Sequence, residues 1–335
     1  MATTHAPALP ASRSQLIAAF AAVYLVWGST YLAIRVAVAT IPPFLMAGAR
    51  FLVSGALLCG FLLVTRRFRP TARQWRDNAI VGGFLMLGGN GLVCWAEQSV
   101  PSGIATLIIS IGPLAVVLLD WAILVLGRDE KRGSRPTLAT FVGVGVGFAG
   151  LVLLTGPALQ TGPGGLPLIP VLALMLASTL WSAGSLVGRY AREPADPLTA
   201  SAIQMLTGCG WLFAASLLAG EPARFHLAEL TSRAVLAWTY LTLVGSLVGF
   251  TAFVWLMKHS TPARVYTYTY VNPIVAVFLG WLILHEQVSP RIFAAAAIIV
   301  AGVAIITTAK NRKPAPQADA APSLELEPAP QKVTQ

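Results

Sequence analysis

The feature that most constrains this chain is a series of about ten apolar runs, each long enough to cross a bilayer and joined by short loops that hold most of the charge. They fall near 16–34, 43–65, 79–96, 103–126, 137–155, 168–188, 198–218, 234–257, 262–284 and 291–309. Roughly 18 or more apolar residues at ~1.5 Å rise carry a helix across a ~30 Å hydrocarbon core. Only 11% of the residues are charged, against about 25% in soluble domains, so water is not the solvent for most of this surface. The fold class is an all-α membrane protein with ten transmembrane helices.

Basic residues set the orientation. With a cytoplasmic N-terminus, the inner side receives Arg13, Arg66, Arg67, Arg69, Arg73, Arg76, Arg128, Lys131, Arg132, Arg135, Arg189, Arg192, Lys258, Arg264, Lys310, Arg312, Lys313 and Lys332. The outer side receives Arg35, Arg224, Arg233 and Arg291, and Arg50 falls inside a helix. The positive-inside rule then places both termini in the cytoplasm. The net charge of +10 follows from this topology, since no basic face or arm offers itself to nucleic acid. Cys59, Cys94 and Cys209 each stand alone in a helix, which supplies neither a disulfide frame nor a metal site. Residues 13–39 share Arg13, an apolar run and Ala37-Val38-Ala39 with a secretory signal, but the run is long and has a later counterpart, so it reads as a span.

That counterpart belongs to a duplication. One spacing separates Trp27 from Trp181, Arg35 from Arg189 and Pro43 from Pro197, and a second separates Pro113 from Pro273 and Trp121 from Trp281. The organisation is a cytoplasmic tail (1–15), a first five-helix repeat (16–155), an extracytoplasmic linker (156–167), a second five-helix repeat (168–309) and a disordered cytoplasmic tail (310–335) rich in Pro, Ala and Glu. Five is odd, so the second repeat enters the membrane from the opposite side. Inverted repeats of this kind recur in secondary transporters, where a midplane site opens alternately to each face.

The segments VYLVWGSTYLAIR, PPFLMAGARFLVSGALL, GNGLVCWAEQSVPSGIATLI and YTYVNPIVAVFLGWLILHEQVS resemble the EamA-type members of the drug/metabolite transporter superfamily, most nearly the YedA-like bacterial inner-membrane exporters. The resemblance spans both repeats. It implies a ten-helix inner-membrane carrier that exports small metabolites, amino acids or amphipathic drugs, with uptake or exchange of a small anionic metabolite as the alternative. It departs from the family's pattern after the fourth helix, where GRDEKRG forms a longer loop than the compact HEQ around Glu286.

Polar groups in the bilayer are costly, which singles out candidates. From helical rise, Trp27, Arg50 and Asn90 share a layer roughly 10 Å below the outer face, and the repeat assigns Trp181, Gln204 and Thr251 to a matching inner layer. Arg50 either docks a substrate carboxylate or phosphate through its planar fork or ties the second helix to the third, held by Asn90, carbonyls near Gly88 and Gly89, or Glu97. Asp120 and Glu97 are candidate coupling groups, with protons as the candidate coupling ion. Trp95 joins Trp27 and Trp181 as a candidate cavity aromatic.

VYTYTYVNP, residues 265–273, alternates like a strand, but an isolated strand in lipid leaves its backbone groups unpaired, so it must be helical. On a helix Tyr266, Tyr270 and Pro273 share one stripe, and Tyr268 and Asn272 another. Tyr266, Tyr270 and Asn272 are candidate ligand contacts, and Pro113 and Pro273 candidate hinges. A membrane enzyme needs clustered acids, or a His paired with an acid or nucleophile, and neither is visible; no Walker A loop is present. The reading is a carrier with no cofactor, acting on a small molecule in the lipid bilayer as a monomer or homodimer.

Overall fold

A computed structural model describes residues 12–127, 137–155, 166–188, 191, 196–260 and 267–311. Among these residues there is no strand, and ten apolar helical stretches are present, seven long enough to cross a membrane and three shorter. The first, α1 (Arg13–Ala37), starts at a capping box in which Ser12 and Gln15 satisfy one another's backbone N–H groups. Next comes α2 (Pro43–Val64), opened by a proline whose missing N–H is an orphan at that position in any helix. A second capping box, Thr71 with Gln74, starts α3 (Ala72–Ala96). Two helical pieces, Ser102–Ile109 and Gly112–Gly127, make up α4, and α5 is Leu138–Thr155.

The second repeat supplies α6 (Leu168–Gly188) and α7 (Pro197–Leu218). Its third helix, α8, is built from Ser232–Tyr240, Leu241–Val248 and Gly249–His259, and it is followed by α9 (Tyr268–Leu284) and α10 (Pro290–Asn311). Packing follows the duplication. Against α8 and α9 lies α1, as α6 lies against α3 and α4, while α2 pairs with its equivalent α7, and α5 with α10. The α5–α10 pair is drawn together by glycines: a Cβ on Gly302 would stand 2.5 Å from the Gly147 backbone nitrogen.

Two features repeat in detail. The middle of α3, Gly83–Gly91, and the middle of α8, Leu241–Val248, are wound as π-helix. Each holds a polar side chain that reaches the carbonyl five residues back: Asn90 to Leu85 at 3.5 Å and Ser246 to Leu241 at 3.1 Å. Next to each π segment a tryptophan of the other repeat lies on a glycine. A Cβ on Gly89 would come within 2.6 Å of the Trp181 ring, and one on Gly249 within 2.4 Å of the Trp27 indole nitrogen. The sequence equivalence of Trp27 and Trp181 is therefore an equivalence of contacts.

Of the tyrosine-rich segment, the part from Tyr268 on is helical, and Tyr266 lies outside the described residues. The two prolines differ in setting. The backbone leaves the helix at Ser110 and Ile111, just before Pro113, whereas Pro273 sits inside a helix that runs continuously from Tyr268 to Leu284.

Candidate functional site

Arg50 is carried by α2 to the seam with the π segment of α8, and only 4% of it is exposed. Its Nε donates to Ser246 Oγ at 3.0 Å, and its guanidinium lies over the Phe51 ring with Cζ 4.8 Å from the centroid. A Cβ on Gly245 would stand 3.3 Å from Nη2, so glycine makes room for the fork. One turn along α2, Ser54 Oγ contacts the carbonyls of Arg50 (2.8 Å) and Thr242 (3.0 Å). Nη1 is buried without a partner. The expectation that Asn90, carbonyls near Gly88 and Gly89, or Glu97 hold this arginine is corrected: Arg50 ties α2 to α8 of the other repeat, because the π turn aims Ser246 at it. The result is a desolvated cation with donors to spare, which is chemistry suited to a planar anion.

A second polar site closes the end of the bundle where α1 and α3 finish and α2 and α4 start, here the glutamate end. Glu221, 1% exposed, accepts from the Phe44 N–H at 3.1 Å and the Leu45 N–H at 2.7 Å, at the free amides of α2. Glu286 does the same for α4, accepting from the Ser102 N–H (2.8 Å), Ser102 Oγ (2.9 Å) and the Gly103 N–H (3.1 Å). Both glutamates belong to the second repeat and both capped helices to the first. Glu286 gets there by a tight exit from α9: His285 takes the left-handed conformation (φ 54°), and the Glu286 N–H returns to the Gly280 carbonyl at 3.1 Å. The carboxylate then lies on Gly280, where a Cβ would be 2.4 Å from Oε2.

Near Glu286 sits Glu97, the first residue beyond the third span and 0% exposed. The Arg35 guanidinium donates to its backbone carbonyl rather than to its carboxyl group, and neither carboxyl oxygen has a hydrogen-bond partner. Burial pushes the Glu97 carboxyl well above the usual carboxylate range; the negative charge of Glu286 adds to this and Arg35 opposes it.

The expected layers do not assemble as such. Trp27 is enclosed by Phe250, Phe253 and Tyr268, with ring centroids 5.6, 5.1 and 5.0 Å away. Asn90 donates to the Leu85 carbonyl of its own helix, Trp181 covers Gly89, and Trp95 is half-buried against the core. Gln204 donates to Asn78 Oδ1 at 2.8 Å, joining α7 to α3 at the opposite end. Asn272, with its amide turned to donate, reaches the carbonyls of Tyr268 (3.2 Å) and Tyr24 (3.3 Å), and so fastens α9 to α1. Asp120 lies in α4 and Tyr270 in α9, but their side chains fall outside what is described. A cavity of about 430 Å³ lies between α1 and α9, lined by Leu25, Val26, Ser29, Tyr240, Val275 and Phe278. Leu25 and Phe278 on its rim are more than half exposed, so it opens sideways, and Ser29 bonds Tyr240 across it at 2.6 Å.

Residue-type scanning missed Ser246, Glu221 and Ser102. A serine in an apolar helix and a glutamate in a loop carry no signal alone; the glycine-rich GFLMLGGNG was the visible trace of one π segment.

Comparison with known proteins agrees with this architecture. The chain is 36% identical over 303 residues to the inner membrane transporter YedA of Escherichia coli K12, covering 90% of this chain and 93% of that one. It is 28% identical to protein PecM of Dickeya dadantii (88% and 95% covered) and 24% identical to the transporter YoaV of Bacillus subtilis (87% and 96%). A solved crystal structure shares the fold with a TM-score of 0.60 at 22% identity, over 89% of this chain and 98% of that one. The model of the EamA-like transporter family matches residues 14–156 and again 168–308, and the chain belongs to that family.

Proposed function

We propose that this protein is a secondary carrier of the inner membrane that exports small metabolites, amino acids or amphipathic drugs by alternating access. The observation that carries the reading is Arg50: a buried guanidinium at the seam between repeats, bonded to Ser246 through one nitrogen and with Nη1 free. A cation left uncompensated in a bilayer-spanning helix costs at least about 2.5 kcal/mol on insertion scales, and a substrate carboxylate or phosphate would offset that cost. The seam joins α2 of one repeat to α8 of the other, so motion of one repeat against the other opens or closes it.

The distribution of Lys and Arg supports cytoplasmic termini, with the glutamate end facing out. The lateral cavity between α1 and α9 gives amphipathic substrates a way in from the lipid. Arg50 also favours a second reading, exchange of a small anionic metabolite, which differs in direction rather than in site.

The test is counterflow in proteoliposomes, using compounds selected because they raise the melting temperature of the purified protein. Exchange of labelled for unlabelled compound without chemical change is expected, and should be lost in Arg50→Ala with anionic compounds affected most. Stabilisation and exchange unaltered by Arg50→Ala and by Arg50→Lys would exclude Arg50 as the docking group.

A further inference from the structure

We infer that closing the glutamate end takes up one proton, and that Glu97 holds it. The inference rests on the alternating-access reading above and adds to it a ligand and a site. The geometry is specific. Glu97 is 0% exposed, and both of its carboxyl oxygens lack a partner. The Arg35 guanidinium is turned to the Glu97 carbonyl, and the Ser102 donors are held by Glu286. The titratable and charged groups facing Glu97 are Tyr31 and Arg35 from α1, Glu286 from the turn after α9, and Cys94 on its own helix; Arg50 and Glu221 face Cys94 in turn.

An ionised carboxylate in that position would be a buried charge with no hydrogen bond, beside a second carboxylate. A protonated one is neutral and fits. When the end opens, water reaches Glu97 and its carboxyl returns toward an ordinary value of about 4.3. The closed state therefore holds one more proton than the open state. The sign follows from linkage: the closed-state affinity for the proton is the higher one, so closure is fully favoured below the ordinary carboxylate range. It weakens about tenfold per pH unit above that range, until the closed-state value is passed. With this end facing out, an acidic exterior drives closure and supplies the proton from outside.

Two measurements on the full-length protein test this. The first is the infrared carbonyl band of protonated carboxyl groups at neutral pH, compared between wild type, Glu97→Gln and Glu97→Met. A band present in wild type and missing from both variants is expected; no difference overturns the inference. The second uses Cys94, buried one turn before Glu97, as the only thiol after Cys59→Ala and Cys209→Ala. Its labelling by a small maleimide is read at several pH values, once with Glu97 intact and once with the Glu97→Gln substitution added. Taking the ratio of the two rates cancels the intrinsic pH dependence of the thiol. An ionised Glu97 would by itself repel a thiolate, so a rising ratio has to come from opening. The expected ratio rises with pH by up to about tenfold per unit and then levels. A flat ratio overturns the inference, and if counterflow persists alongside it the carrier reading stands. A rising ratio with no counterflow of any stabilising compound upholds the proton site and overturns the carrier reading.

Discussion

The two ends of the bundle fasten the repeats together with different chemistry. At the glutamate end, Glu221 and Glu286 from the second repeat each cap a helix of the first, and the amides they hold have no intrahelical partner. At the opposite end, Arg67, just beyond α2, pairs with Asp196 at 2.6 Å, with side chains 46% and 16% exposed, and Asn78 meets Gln204 as a neutral pair. Charge-assisted bonds to otherwise orphaned amides are worth about 1.5–3 kcal/mol each, whereas an exposed ion pair contributes about 0–1 kcal/mol. The difference teaches that ion pairing at a rim and carboxylate capping in a dry seam do not fasten equally. The repeats are fastened more firmly at the glutamate end than at the other.

The sharpest way to break this asymmetry is Glu286→Ala. It strands three donors, two of them amides of the buried residues Ser102 and Gly103, and should lower stability by about 3 kcal/mol in denaturant or thermal unfolding in a fixed detergent. Glu286→Gln, which keeps one acceptor, should lose about half as much. Gly280→Ala should mimic the alanine variant while leaving the Glu286 side chain chemically intact, because the new methyl occupies the space of Oε2 and displaces the carboxylate. If Gly280→Ala is as stable as wild type, the Glu286 cap is not what fastens this end.

Glu221→Ala comes next. It removes two bonds, and the freed amides belong to half-buried Phe44 and Leu45, which regain some water, so the expected loss is about 2 kcal/mol by the same unfolding measurement. Combined with Glu286→Ala the losses should add, since each glutamate caps its own helix; a shortfall above about 0.5 kcal/mol would show that the caps open as one gate.

These positions also mark what could be read in advance. The spans and the helical nature of the described part of the tyrosine-rich segment, from Tyr268 on, followed from hydrophobic run length and from the ban on unpaired backbone in lipid, both local in sequence, and the duplication followed from residue matches at fixed spacings. The partner of Arg50 did not follow. Ser246 faces it only because α8 winds as π-helix at Leu241–Val248, and hydropathy does not register a change of helical pitch. Depth from helical rise placed Trp27, Arg50 and Asn90 at one level but carries no azimuth, so it could not show that Trp27 faces α8 and α9 while Arg50 faces the π segment. Glu97 was legible as an acid at a helix end; that its carboxyl is stranded depends on where Arg35 and Glu286 spend their bonds.

The smallest expected effect lies at the opposite end. Arg67→Ala should cost no more than about 1 kcal/mol, shrinking further in high salt because the Arg67 side chain is 46% exposed. Asp196→Ala should cost more, since the same carboxylate caps α7 by accepting from the Leu198 N–H at 3.1 Å. The excess is the cap, and only a double-mutant cycle separates it from the ion pair. Coupling of about 0.5 kcal/mol between Arg67 and Asp196 is expected. A coupling of about 3 kcal/mol would place this latch on a par with Glu286 and remove the asymmetry between the two ends.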